Sequence, residues 1–328
     1  MALVITDKAG QDLRELEDVD FDLAYGSEEN DWELVIDTAS DIRLEPRARI
    51  YMEGTEYIGI YDGREVDTGE KTITYTGRTW SGVLASRFLI PDTGSDYITY
   101  QQDANRLIEW AITRLGLGEF FRARTSDAGI VVTGRFDRFA DGYAGLCKAL
   151  SSGGAKLKAI YDGERVELYA LPVARYTEGE ALDADEITLV IKQNRGCVNH
   201  LICAGKGELR DRIVVHLYAD RKHRISRTQT LFGVDEVAEF YDYSNAEEAD
   251  LLEKGIAKLQ EYQETSEMVE VTINSERELD IGDVVGATDP ETGLAATATV
   301  TKKIVTSDGE TWTAEYKASA AATVSIAA

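Results

Sequence analysis

Phe21, Leu23 and Tyr25 alternate with polar or small residues, and Trp32, Leu34 and Ile36 repeat the pattern after a break at 26–31. Successive side chains of a strand point to opposite faces, so a period of two buries one face of a sheet and wets the other. This predicts a strand, loop, strand unit. Short β-branched and aromatic runs follow at 48–52, 57–61 and 72–75, divided by Glu53-Gly54 and Asp62-Gly63, pairs that favour hairpin turns. The first ninety or so residues, 1–91, read as a small antiparallel barrel or sandwich.

The period changes after Pro91. Ala104, Leu107, Ile108, Ala111, Ile112 and Leu115 recur at helical spacing, and Gly116 and Gly118 end the run. After a short strand at 130–133, a second helix is marked by Phe139, Tyr143, Leu146, Cys147 and Leu150 and closed by Gly153 and Gly154. A hairpin is predicted over 157–171 around Asp162-Gly163. Strand patterns resume at 187, 198–203, 213–218, 269–273, 283–287, 297–304 and 312–316. A helix beginning near Asn245 interrupts them, with Ala249, Leu252, Ile256 and Leu259 as its apolar stripe.

At 328 residues the chain exceeds one small core. The expected fold is mixed and β-rich: two small antiparallel β-barrels, an inserted α/β module of helix plus hairpin, and a helical insertion. The expected division is a first barrel at 1–91, the α/β module at 92–180, a second barrel from 181–222 with 268–318, the helical insertion at 223–267 and a flexible tail at 319–328.

A net charge of -25 disfavours a grip on phosphate backbones or anionic lipid. It fits a solvated surface, or the wall of a passage along which DNA slides without specific binding. No apolar run is long enough for a membrane-spanning helix, so no membrane insertion is expected. Three cysteines, Cys147, Cys197 and Cys203, are too few for a disulfide framework and point to folding in a reducing cytoplasm.

Chemistry has few handles. Cys197, His200 and Cys203 form a C-x-x-H-x-x-C cluster, but on a strand the histidine faces away from both cysteines, so a buried strand is preferred to a zinc site. Gly205-Lys206-Gly207 lacks the rest of a phosphate loop, and Ser151-Ser152-Gly153-Gly154 reads as a helix end rather than a nucleophile elbow. Acidic clusters such as Asp183, Asp185 and Glu186 more often face water than form a glycosidase pair. The basic run Arg221, Lys222, His223, Arg224 and Arg227 is either a solvated loop or a docking patch for an acidic surface. Catalytic, cofactor-binding and metal-ligating residues are therefore expected to be absent.

Several stretches carry more than composition does. Thr76-Gly77-Arg78-Thr79-Trp80-Ser81-Gly82-Val83-Leu84-Ala85-Ser86-Arg87, ending in Leu89-Ile90-Pro91, resembles the glycine-arginine segment that closes the first barrel in tail hub proteins of long-tailed phages and prophages of Gram-positive hosts. Further matches follow in order: 195–209 from Arg195-Gly196 to Glu208-Leu209, the helix at 252–262, and Leu279-Asp280-Ile281-Gly282-Asp283-Val284-Val285-Gly286. The resemblance implies two related barrels and a homotrimer whose six barrels ring the end of the tail tube. It implies distal tail or tail tube proteins and the tape measure protein on one side, and a tip, spike or fibre protein on the other. The expected location is the virion tail tip or baseplate, after assembly in the bacterial cytoplasm. The alternative is a β-rich carbohydrate-binding module that reads cell-wall glycan through exposed Trp32, Trp80 or Trp312.

Overall fold

Alternation becomes a sheet. The strands β1 (Leu3–Thr6), β2 (Asp12–Leu16), β3 (Asp20–Gly26), β4 (Asp31–Asp37), β5 (Arg49–Met52), β6 (Ile58–Asp67) and β7 (Thr72–Thr79) lie in the order β3-β4-β7-β6-β5-β1-β2. Phe21, Leu23 and Tyr25 of β3 and Trp32, Leu34 and Ile36 of β4 are all buried, as their spacing predicts. The computed structural model describes residues 2–177, 187–193, 196–264, 267–273, 278–288, 294–319 and 325–326. It divides into two units: Met1–Thr188 with Thr272–Glu291 and Ala298–Ala318, and Leu189–Val271 with Thr292–Thr297 and Ser319–Ala328.

In the first unit the sheet continues past β3 into the C-terminal part of the chain. The strand Leu294–Asp308 pairs antiparallel with β3, from Lys302 opposite Gly26 to Asp308 opposite Asp20, and Trp312–Ser319 lies beside it. Among the described residues no sheet closes on itself.

Asp62-Gly63 does not make the expected turn. β6 runs through it as one strand, with a bulge between Tyr61 and Gly63 opposite β7. The reversal falls at 68–71, where the Asp67 carboxylate accepts the backbone N–H groups of Gly69 and Glu70. Asp62 is held instead by Arg78 on β7, which keeps its residue in the strand. Asp162-Gly163 does turn, with Gly163 at φ 92 and the Asp162 N–H bonded to the Arg165 carbonyl.

Three helices pack in the first unit: α1 (Trp80–Ala85), α2 (Ala104–Leu115) and α3 (Gly142–Ser151). The whole predicted stripe of α2 is buried, and Gly116 closes the helix in the left-handed conformation. Asp103 caps its start by accepting from Asn105 N–H, and it also accepts from Ala128 N–H and Gly129 N–H. Asp103→Ala is expected to lower stability by about 1–2 kcal/mol, the usual worth of a cap, as urea unfolding would measure. Phe139 is outside α3, at φ 61 and 53% exposed. The helix starts at Gly142 behind the N-cap Asp141, whose carboxylate accepts from Ala144 N–H, and a Cβ at Gly142 would sit 2.7 Å from the Leu84 carbonyl oxygen of α1. Ala155–Tyr161 and Val166–Pro172 form the predicted hairpin, with Phe121–Ala123 added in parallel.

The second unit contains a four-stranded sheet in the order Ile225–Ser226, Val214–Ala219, His200–Ala204, Ala238–Asp242. α4 (Glu248–Glu264) covers one face: Leu251 and Leu259 pack with Leu201, Cys203, Val215, Leu217 and Ala219. The expected stripe is rotated, since Ile256 is 38% exposed. Gly255 explains the rotation, because a Cβ there would lie 2.6 Å from Cys203 Sγ; the helix approaches the sheet at its glycine.

Candidate functional site

The segments behind the resemblance are held by close packing and ion pairs. Gly77 sits where a Cβ would be 1.9 Å from the Ile60 carbonyl oxygen and 2.9 Å from the Trp32 indole. Arg78 donates through Nε and Nη2 to both oxygens of Asp62, at 2.7 and 2.8 Å, and through Nη1 to Ser86 Oγ at 3.1 Å. Burial would raise the Asp62 carboxyl, but the guanidinium outweighs it and holds the group below the usual range. Trp80 is buried between Tyr25 and Tyr143, at centroid distances of 5.8 and 5.6 Å. The segment thus docks α1 against both the sheet and α3.

The turn at 279–286 brings two carboxylates to a set of buried lysines. Lys156 Nζ lies 2.7 Å from Asp283 and 2.5 Å from Asp280, and Lys158 Nζ lies 2.7 Å from Glu56 and also contacts Asp280. Lys303, with no exposed surface, reaches Glu56 at 3.3 Å and lies over the rings of Tyr57 and Tyr316 at 4.9 and 5.3 Å. Asp283 accepts further from the N–H groups of Ala174 and Asp280. Burial alone would lower Lys303 and Lys158, but Glu56 reverses this and both are raised. Burial would raise Asp280; Lys158 and Lys156 hold it low. Glu56, Asp280 and Asp283 therefore answer Lys156, Lys158 and Lys303, a network whose charges satisfy one another rather than a substrate.

Arg195 of the 195–209 stretch and, before it, the acidic trio Asp183, Asp185 and Glu186 lie outside the described residues. Asn199 donates to the Asp235 carbonyl and accepts from Val237 N–H, which fixes the approach to the Ala238–Asp242 strand. His200 uses both ring nitrogens: Nδ1 meets Glu236 at 2.6 Å and Nε2 meets His216 Nδ1 at 2.8 Å, while the ring stacks on Tyr218. Cys203 faces α4 instead, where burial pushes its thiol up, and Cys197 donates to Gln263 on the same helix. The three residues of the cysteine-histidine cluster do not converge. Among the described residues no group of three His, Cys, Asp or Glu side chains could hold a metal ion.

The basic run is answered locally. Arg221 pairs with Asp235, Arg224 with Asp220 and Arg227 with Glu248, and His223 meets Gln263. The aromatic residues named for the sugar-binding alternative are not exposed: Trp32 and Trp80 are buried, and Trp312 packs on Phe21 at 5.8 Å. Among the described residues no helix is long and apolar enough to cross a membrane.

No family model matches the chain, and no curated protein matches it. Solved structures do. A 43 kDa tail protein of prophage MuSo2 from Shewanella oneidensis matches with a TM-score of 0.55 at 13% identity, over 97% of this chain and 98% of that one. The phage P2 baseplate in its activated conformation with Ca gives 0.54 at 11% identity, over 97% and 98%.

The fold is that of phage tail proteins.

A tail protein from Neisseria meningitidis MC58 extends the set, at 0.51 and 13% identity over 97% of this chain and 96% of that one. This tail-protein fold covers nearly the full length of both partners in each case, so the likeness is to a whole architecture rather than to one shared module. At such low identity it establishes the architecture, and function has to be argued from it.

Proposed function

We propose that the chain is a structural tail protein, the hub of a phage-type tail. Three copies form a ring with a central channel, joining the tail tube, distal tail and tape measure proteins to a tip, spike or fibre protein. The observation that carries this reading is the full-length likeness to tail and baseplate proteins, in both directions of coverage. The ordered matches at 76–91, 195–209 and 279–286 support the hub, since two of them specify how distant parts of the first unit are held together. In this reading the paired barrels of the expected five-part division supply six modules to the ring, DNA passes without specific binding, and the net charge of -25 keeps the passage from holding it. No catalysis is assigned to the chain.

Negative-stain electron microscopy of the purified protein, over a concentration series and with its tube partner, tests the proposal. Rings with a central hole and threefold symmetry are expected. Isolated compact particles under all conditions, partner included, would overturn it.

A further inference from the structure

We infer that the first unit also carries a binding site for a neutral oligosaccharide, in the cavity between the segment at 92–98, the strand Thr99–Asp103 and α2. The cavity measures about 370 Å³, within the range of ~300–1,000 Å³ that small-molecule sites occupy. It is independent of the buried lysine network and of the ring proposal.

Aromatic surface forms one side. Trp110 is half-buried and stacks on Phe136 at 5.9 Å and 15°, and Phe136 in turn contacts Tyr100 at 4.7 Å, so the indole is braced from behind. Tyr97, 43% exposed, stands on the rim under the Arg135 guanidinium at 4.1 Å. Flat aromatic rings with a polar edge suit the mixed apolar and hydroxylated faces of a sugar.

Uncharged polar groups line the same cavity and are available. Neither the Trp110 indole N–H nor the side-chain amide of Gln102 has a hydrogen-bond partner among the described residues. An amide brings both donors and an acceptor, which matches vicinal hydroxyls. The strand Thr99–Asp103 pairs only with Val131–Arg135 among the described residues, which leaves backbone donors and acceptors on its second edge.

The charged groups present are already matched. Arg114 donates to the Asp92 carboxylate and to the Ile90 carbonyl oxygen, both at 2.6 Å. The cation that lines this cavity, Arg114, is thus committed, Arg135 stands outside the lining over the Tyr97 ring, and an anionic ligand would face a chain of net charge -25. The chemistry that fits is therefore a neutral, polyhydroxylated ring on an aromatic platform. It is a different surface from the one the tryptophan pattern of the sequence pointed to.

The test is an array of neutral and anionic oligosaccharides probed with the full chain, with hits measured by ligand-observed NMR titration. Saturable binding of neutral oligosaccharides is expected, weakened about tenfold or more, roughly 1.4 kcal/mol, by Gln102→Ala and by Tyr97→Ala without change in the thermal midpoint. Trp110→Ala should abolish it; the two rim variants keep the test valid if the loss of the indole disturbs the fold. Binding restricted to anionic glycans, binding to none, or binding unaffected by all three substitutions would overturn the inference.

Discussion

Glu56→Ala is expected to destabilise the first unit by about 3–5 kcal/mol, the usual cost of leaving a buried charge without its partner. Glu56 is 4% exposed and bridges Lys158 and Lys303, and Lys303 has no exposed surface. Once the carboxylate is gone, the one carboxylate left to Lys303 among the described residues is the more distant, solvent-facing Glu278 at 3.7 Å. Urea unfolding should show a lower midpoint with an unchanged slope. The paired replacement Glu56→Leu with Lys303→Met should recover most of the loss, because it removes both charges and fills the same volume. A double variant no more stable than Glu56→Ala alone would show that the ion pair is not the cause.

The same network sets a pH window. Asp280 is held below its ordinary value, so its contribution is present above about pH 3.9 and is lost as pH falls through its folded value. Lys158 and Lys303 are raised, so theirs is complete below about pH 10.4 and is lost as pH rises through the folded values. Stability should be flat between these limits, and Asp280→Asn should flatten the acid limb.

Gly77→Ala is the second large effect. The new Cβ would press on the Ile60 carbonyl, and β6 and β7 are paired at that point, so neither backbone can withdraw without breaking the ladder. The Trp32 ring on the other side is 2% exposed and equally confined. Overpacking commonly costs 1–3 kcal/mol, and backbone pressure places this case near the top, about 3 kcal/mol, or a fall of about 6–12 °C in the thermal midpoint. Gly54→Ala is the control. Gly54 lies at φ 73 with nothing within 4 Å of the added atom, so only the left-handed backbone penalty of about 1–2 kcal/mol remains.

Periodicity made the strands of the first sheet and α2 legible, because each has one apolar face and one polar face. It misplaced the face of α4 because the residue at the centre of contact is Gly255, which a hydrophobic pattern does not register. It misread Asp62-Gly63 because the partner that holds Asp62 in a strand, Arg78, is 16 residues away. The lysine network was illegible for the same reason at longer range: a lysine reads as wet until its partner is known, and the partners of Lys156 and Lys303 lie 127 and 247 residues away. The cavity at Trp110 was equally hidden, since Trp110 sits within an amphipathic helix and its significance comes from a neighbouring strand and loop.

The pairing of Leu294–Asp308 with β3 also has a temporal meaning. The first unit pairs segments far apart in sequence, so on a ribosome its sheet waits for a strand that emerges long after β3. With synthesis at about 5–20 residues per second, the 247 residues between Glu56 and Lys303 correspond to a delay on the order of 10–50 s. During that interval the edge of β3 is unpaired and Glu56 lacks its most deeply buried partner. Nascent chains are therefore held open, exposed to chaperones and to edge pairing with their neighbours, until the strand Leu294–Asp308 has emerged.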